Sequence, residues 1–391
     1  MIIQNINIHS KYKIIHTTCH TLWGGLEKRI YNESVWMDKK GHTVIIVAPK
    51  DTPLFIKAKA YGFKVFDVEF KRLGIIKDYN FLKTIFKNEK PDIVNTHGNY
   101  DSKIALVAAY RTKVPCRILS RHISVHVRNS LFNRLLYKKF SHYIFTTAEY
   151  TTKHLQEKFK IKNTHIFTIP SGTTPPDELP TKKAARQEII NELGLDQEAR
   201  LIGFVGRLSE DKGISMTLKA FQKIQTQLKD HHLVIVGLGL DKYVDSLKHL
   251  AKKLMIENKV HFTGFKENVW PYYPSFDCTI LASQNIGGIP FEGVPQSIME
   301  AMFCYCPVVG SKSGGIPDII EHEKTGLLFD ADDPKDLSDK VIQTVMDKKA
   351  TEQRVAKAHE MVNKKHTIDV MGRNVLRIFR LHQIKLENNT L

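Results

Sequence analysis

The run Phe276-Asp277-Cys278-Thr279-Ile280-Leu281-Ala282, with Phe291-Glu292-Gly293-Val294-Pro295-Gln296-Ser297-Ile298-Met299-Glu300-Ala301-Met302 after it, decides how this 391-residue chain is read. The first run reads as a buried strand. The second leaves a Gly- and Pro-containing loop for a helix over Met299–Cys304, and Pro307-Val308-Val309-Gly310 reads as the next strand. Glu292 therefore falls in a strand-to-helix loop and Glu300 roughly two turns into the helix, at most ~12 Å apart at 1.5 Å per residue. Two such carboxylates, with a helix N-terminus between them offering N–H groups to an anion, suit an extended polar ligand such as a nucleotide sugar. An acid near a helix start and an ordinary solvated Glu give the same pattern.

Working outward, the strand–helix alternation extends over most of the chain. Strands are expected at Lys13–Thr17, Thr43–Ala48, Lys64–Asp67, Ile93–Thr96, Arg117–Ser120, Tyr143–Thr146 and Ile166–Ile169. Helical stretches such as Glu27–Lys39, Tyr79–Lys90, Ser102–Arg111, Leu131–Phe140 and Tyr150–Phe159 lie between them. After the Pro/Gly/Thr-rich run Pro170–Pro176 the rhythm restarts, from Leu201–Val205 to Leu327–Phe329. The pattern predicts an α/β chain of two doubly wound parallel sheets, with ligands outside the carboxyl ends of the strands and a cleft between facing domains.

Composition narrows the function classes. No stretch approaches the ~18 apolar residues of a membrane span. The run Met1–Cys19 lacks the apolar core and cleavage site of a secretory signal. Five cysteines form no C-x-x-C pair, and an odd count argues against a disulfide framework. A cytoplasmic protein is expected. Residues 1–175 hold 29 Lys+Arg against 12 Asp+Glu, and residues 176–391 hold 29 of each, so the first half carries the whole net charge of +17. That half should attract anions: a phosphorylated glycolipid, a membrane surface or nucleic acid. A basic surface kept for solubility is the plainer alternative.

Several loops carry candidate chemistry. Gly206-Arg207-Leu208-Ser209-Glu210-Asp211-Lys212-Gly213 follows a strand, and its two cations can hold a diphosphate. Val236-Gly237-Leu238-Gly239-Leu240 lacks the third Gly of a dinucleotide fingerprint, and a tight turn explains it equally well. Trp23-Gly24-Gly25-Leu26-Glu27 opens a helix where backbone N–H groups can face phosphate. Ser120-Arg121-His122-Ile123-Ser124 places His122 at a strand end. Val127–Tyr143 reads as a basic amphipathic helix, fit either to lie on an anionic bilayer or to pack on the core with a solvated basic face. Asp330-Ala331-Asp332-Asp333 is explained by helix capping, so no metal site is read there.

Taken together, Glu-x7-Glu at Glu292–Glu300, Gly-Arg-x4-Lys-Gly at Gly206–Gly213, Gly-Gly-x-Glu at Gly24–Glu27, Ser313–Asp318 and Gly326–Phe329 resemble the family-4 retaining glycosyltransferases of GT-B architecture. The resemblance implies an acceptor-binding Rossmann-like domain over 1–175, a nucleotide-sugar-binding one over 176–370, and a C-terminal helix over 371–391 crossing back to the first. It implies that Arg207 and Lys212 hold the donor diphosphate and that Glu300 binds the ribose. Glu292, with the N–H groups of Gly293 and Val294, would meet the donor sugar. Gly24 and Gly206 would approach the donor, Gly25 would approach the phosphate or the acceptor from the first domain, and His122 would sit beside the reacting carbon.

The implied reaction moves a sugar from a nucleotide diphosphate sugar with retention and without a required metal or other cofactor. Charge placement favours an anionic glycolipid or oligosaccharide acceptor of lipopolysaccharide or envelope synthesis, on the inner face of the cytoplasmic membrane. Nucleic acid is not an expected partner. A GT-B nucleotide-sugar 2-epimerase and a non-catalytic polyanion-binding protein are the alternatives. The loop Gln284–Pro290 is longer than in many relatives, which leaves the donor sugar open.

Overall fold

A computed structural model describes residues 11–122 and 127–388. Ile123 and Ser124 of the His122 motif, and the first ten residues of the Met1–Cys19 run, lie outside them. The chain divides into two compact units: residues up to Gly172 together with the final helix from Ile368, and Thr173–Thr367.

In unit 1 the strands are β1 (Lys13–Thr17), β2 (Thr43–Ala48), β3 (Lys64–Asp67), β4 (Ile93–Thr96), β5 (Cys116–Arg121), β6 (Tyr143–Thr146) and β7 (Ile166–Thr168). They form one parallel sheet in the order β3-β2-β1-β4-β5-β6-β7. Its helices are α1 (Gly25–Lys39), α2 (Pro53–Tyr61), α3 (Ile75–Glu89), α4 (Asn99–Arg111), α5 (Leu131–Leu135) and α6 (Glu149–Phe159). Period-two alternation decides which residues face which layer. Ile14, Ile46, Ile93 and Ile118 pack with Ile30 and Met37 of α1. Ile15, Ile45, Val47 and Val94 pack with Leu82 of α3 and Ala105 of α4.

Unit 2 holds β8 (Arg200–Val205), β9 (His231–Val236), β10 (Val260–Gly264) and β11 (Cys278–Leu281), a hairpin of β12 (Asn285–Ile286) and β13 (Ile289–Pro290), then β14 (Val308–Ser311) and β15 (Leu327–Phe329). The parallel sheet runs β10-β9-β8-β11-β14-β15. Its helices are α7 (Lys182–Leu193), α8 (Ile214–Ile224), α9 (Asp241–Lys253), α10 (Tyr272–Ser275), α11 (Gln296–Phe303), α12 (Ile316–Ile319), α13 (Pro334–Met346) and α14 (Lys348–Lys365). In each sheet the winding reverses beside the first strand, between β1 and β4 and between β8 and β11. At such a switch point the loops diverge and leave the carboxyl ends of two strands open to a ligand.

Two expectations change in detail. Helix α11 starts at Gln296, after the extended Pro295, so Glu300 lies one turn into it rather than two. The stretch Val127–Tyr143 is not one amphipathic helix: α5 gives way to a π-helical turn at Leu136–Phe140. Leu136 and Tyr137 enter the core, whereas Leu131, Phe132 and Leu135 are exposed.

The final helix, α15 (Ile368–Asn388), belongs to unit 1. Met371, Val375, Leu376 and Phe379 join the cluster of Ile14 and Trp36. The Trp36 indole N–H donates to Asp369 Oδ1 at 3.1 Å, and His382 Nε2 lies 2.8 Å from the Pro115 carbonyl oxygen. Gly372 sits so close to Trp36 that an added Cβ would lie 2.4 Å from the indole ring. Gly372→Ala should therefore lower the melting temperature by overpacking, although Ala gains about 1 kcal/mol over Gly in an unconstrained helix. A thermal melt checks this; a rise would mean that Trp36 yields without cost.

Candidate active site

The switch point of unit 2 gathers the charged candidates. Strand β8 empties into the Gly206–Gly213 loop, and β11 into the segment that carries Glu292. Gly213 (φ 63°) lies so near β11 that a Cβ would come within 1.8 Å of the Ala282 carbonyl oxygen. Gly314 (φ 54°) approaches the Glu292 carbonyl in the same way, at 2.3 Å. Glycine is required at both for the loops to close. The second glycine loop has the plainer explanation: a Cβ on Gly237 would strike the Gly206 carbonyl oxygen at 1.8 Å.

This packing brings Lys212 Nζ to 2.5 Å from Glu292 Oε2, which also accepts the Ser283 hydroxyl at 2.7 Å. Their side chains are 18% and 11% exposed, whereas Arg207 is 61% exposed and only 3.7 Å from Asp211 Oδ2. Lys212 is thus the held cation and Arg207 the open one. Gly293, Val294 and Pro295 are buried as the chain turns into α11. Glu300 is buried, and the Tyr273 hydroxyl donates to its Oε2 at 2.6 Å. Burial and the Glu300 carboxylate push the Tyr273 phenol well above its usual range, so it remains a donor. The Ser313–Asp318 segment supports Glu292 through Gly315 N–H, which donates to the Glu292 carbonyl at 3.1 Å. Asp333 caps α13 by accepting from Lys335 and Asp336 N–H groups.

In unit 1, His122 follows β5 beside the β1/β4 switch point. Its Nε2 lies 2.8 Å from His97 Nδ1, and His97 Nε2 lies 2.8 Å from His16 Nδ1. The Gly24 N–H donates to Glu27 Oε2 at 2.8 Å, where the carboxylate caps α1. Gly25 is the first residue of α1. Sequence reasoning missed Tyr273, Ser283, His16 and His97. Ser283 and His97 could have been found from their places just past strand ends; a Tyr in a four-residue helix gives no such signal.

Among the described residues, Cys116, His142 and His382 have ligating atoms within 4.8 Å of one another. The Arg117 guanidinium lies 2.9 Å from His142 Nε2, and both His382 nitrogens bond Tyr143 and Pro115. The cluster is a hydrogen-bonded latch for α15.

The fold and these two strand-edge sites define a two-domain GT-B protein. Residues 23–175 match the family model for Glycosyltransferase Family 4 and residues 185–361 that for Glycosyl transferases group 1. Together they span most of the chain, which belongs to this glycosyltransferase family. A glycosyltransferase structure from Rickettsia africae superposes with a TM-score of 0.83 at 18% identity, covering 96% of this chain and 99% of that one. Anabaena HepE in complex with UDP-glucose gives 0.77 at 18% identity, covering 94% and 98%. A UDP-Gal:alpha-D-GlcNAc-diphosphoundecaprenol alpha-1,3-galactosyltransferase of Escherichia coli is 25% identical over 87% of this chain and 89% of its own length. An N-acetyl-alpha-D-glucosaminyl L-malate synthase of Bacillus anthracis is 28% identical over 48% of this chain and 46% of its own. The chain spans about half the length of several such curated relatives.

Burial pushes His16 and His142 down to about 3 and His366 to about 4, and lowers His97 and His122 well below the usual imidazole range. The unfolded chain takes up these protons near pH 6.5 and the folded chain only at lower pH. Stability therefore falls as pH drops from 7 toward 4. Glu33 and Asp101, raised by burial, oppose this over part of the range. The melting temperature should fall steadily from pH 7.5 to 5; a flat profile would contradict the buried neutral rings.

Proposed function

We propose that the chain transfers a sugar from a nucleotide diphosphate sugar, with retention and without a required metal, to an anionic lipid-linked acceptor of lipopolysaccharide or envelope polysaccharide synthesis. The Lys212–Glu292 pair at the unit 2 switch point carries this reading. An arriving diphosphate competes for the Lys212 ammonium and gains Arg207 from solvent. Glu292, released from Lys212, turns to sugar hydroxyls with the backbone of Gly293 and Val294. Glu300, positioned by the Tyr273 hydroxyl, binds the ribose. Two cations and the α11 N-terminus then offset charge on the departing phosphate, the work that a metal would otherwise do. Glu292 and Glu300 are not the acid and nucleophile of a glycosidase, because the ribose role directs Glu300 away from the reacting carbon. The UDP and UDP-glucose named for the HepE structures support a nucleotide-sugar donor.

The acceptor reading rests on unit 1 and on the lipid diphosphate named for the E. coli relative. In parallel crossovers, α3, α4 and α5 all begin at the carboxyl edge of the sheet, and α3 and α4 lie side by side. There Leu73, Ile76 and Leu131 are exposed, with Lys71, Lys77, Arg128 and Arg134 near them in sequence. Apolar tips within a basic field suit a peripheral contact with an anionic bilayer. No described helix is long and apolar enough to cross a membrane.

Thermal-shift titration with UDP, GDP, TDP and their sugars tests the donor site. One diphosphate should raise the melting temperature of wild type and much less that of Glu300→Ala; no shift at millimolar concentration would sink the reading. Lys212→Ala should lower kcat by about 10²–10³. Donor turnover without acceptor would instead indicate an epimerase. For the membrane contact, co-sedimentation with phosphatidylglycerol vesicles should weaken with salt and with Leu131→Asp plus Ile76→Asp; equal binding to neutral vesicles would overturn it.

A further inference from the structure

Three imidazoles line the carboxyl edge of the unit 1 sheet. His16 lies opposite Asn95, and Asn95 opposite Ile118. Alternation then sends His16, Asn95, His97, Ser120 and His122 to one face, the face that carries α1. Ring centroids are 5.1 Å apart at both steps, and each step closes with a 2.8 Å nitrogen–nitrogen hydrogen bond. Asp101 fixes the middle of the chain: its Oδ2 accepts the backbone N–H groups of His97 and Gly98 and the Thr17 hydroxyl.

Three neutral rings carry three protons and the two hydrogen bonds use two. The third sits at one end, on His16 Nε2 or on His122 Nδ1, and both atoms are buried without a partner. His16 is 1% exposed, so its end is closed; His122, just past β5, is half-buried as a residue, so of the two ends its own lies nearer the surface. A buried nitrogen left unpaired costs about 1–3 kcal/mol, which a ligand group can recover. A hydroxyl answers either polarity of the chain, because it both donates and accepts; a phosphate oxygen answers only one.

We propose that His16 and His97 are positioning residues for His122: their hydrogen bonds pin its ring and commit its Nδ1 to a ligand hydroxyl. The inference rests on the transferase reading, in which that hydroxyl belongs to a sugar. Groups facing the chain are Arg29 and Glu33 from α1, His20 after β1, Arg121 of β5 and Asp101 of α4. Burial first, and then these mostly positive neighbours, keep the rings uncharged, so His122 meets the ligand as a neutral group.

Imidazole 15N NMR of the ligand-free full chain tests this apart from activity, with His122 assigned by His122→Gln. In wild type His122 should show an N–H–bonded Nε2 and no protonation from pH 8 to 5. In His97→Phe it should lose that pattern and titrate toward the ordinary value of about 6.5. His16→Phe, which leaves His97 in place, should loosen the His122 tautomer and serves if His97→Phe does not fold. In sugar transfer, His97→Phe should lose about tenfold in kcat, or 1.4 kcal/mol, with donor KM little changed. His97→Asn, which keeps a group at the Nδ1 position, should restore most of it. An unchanged His122 spectrum in both Phe variants would overturn the inference whatever the activity. Altered spectra with no transfer by wild type would leave the chain standing and remove the transferase reading.

Discussion

The close approach of two loops at the β8/β11 switch point is the constraint on which the unit 2 site depends. Ala282 and the Gly206–Gly213 loop can meet only because Gly213 has no Cβ, and the Glu292 backbone can be cradled only because Gly314 has none. With those contacts made, Lys212 and Glu292 have little choice but to face each other, each mostly withdrawn from water. An ion pair so placed is weak support for stability, because desolvation offsets much of its attraction. Its value is readiness: the ammonium is held where an anionic ligand can take it over from a carboxylate.

Unit 1 uses the same topology for a different end. At its switch point the strand ends carry imidazoles and hydroxyls, and α1 brings the buried pair of Arg29 and Glu33 beneath them. Arg29 also donates to the Ile169 carbonyl at 2.6 Å, which ties α1 to the last strand of the sheet. A guanidinium removed from water requires such partners. Its field then falls on all three rings of the histidine chain. The buried charge is structural, and its consequence is to keep the neighbouring polar groups neutral.

The strands were legible because parallel strands buried on both faces read as short apolar runs, and Thr43–Ala48 and Ile93–Thr96 agree to the residue with their expected spans. Helix boundaries were less so. Pro295 delays nothing: it ends the loop, and α11 begins directly after it, which moves Glu300 up a turn. Residues 127–143 misled because a 3.6-residue apolar pattern does not distinguish a continuous helix from one that changes to a π turn at Leu136. The lengthened loop before Glu292 was visible, but not its form: Gly287 and Gly288, both at positive φ, turn it into a hairpin. For the site, Lys212 and Glu292 were readable from spacing. His16 was not, since a His in an apolar strand resembles any buried polar residue until the register between β1 and β4 is known.

Surface charge and buried neutrality in unit 1 have different reach, and that separates their work. The excess of lysine and arginine over residues 1–175 acts across a Debye length of about 8 Å at physiological salt, and favours any anion near the surface. It can raise the rate of encounter with an anionic ligand, but it cannot choose one hydroxyl from another. The His16–His97–His122 chain acts only at hydrogen-bond distance and carries no net charge for salt to screen. Raising ionic strength should therefore remove attraction while leaving recognition intact. A protein that used its cations for both would lose the two together.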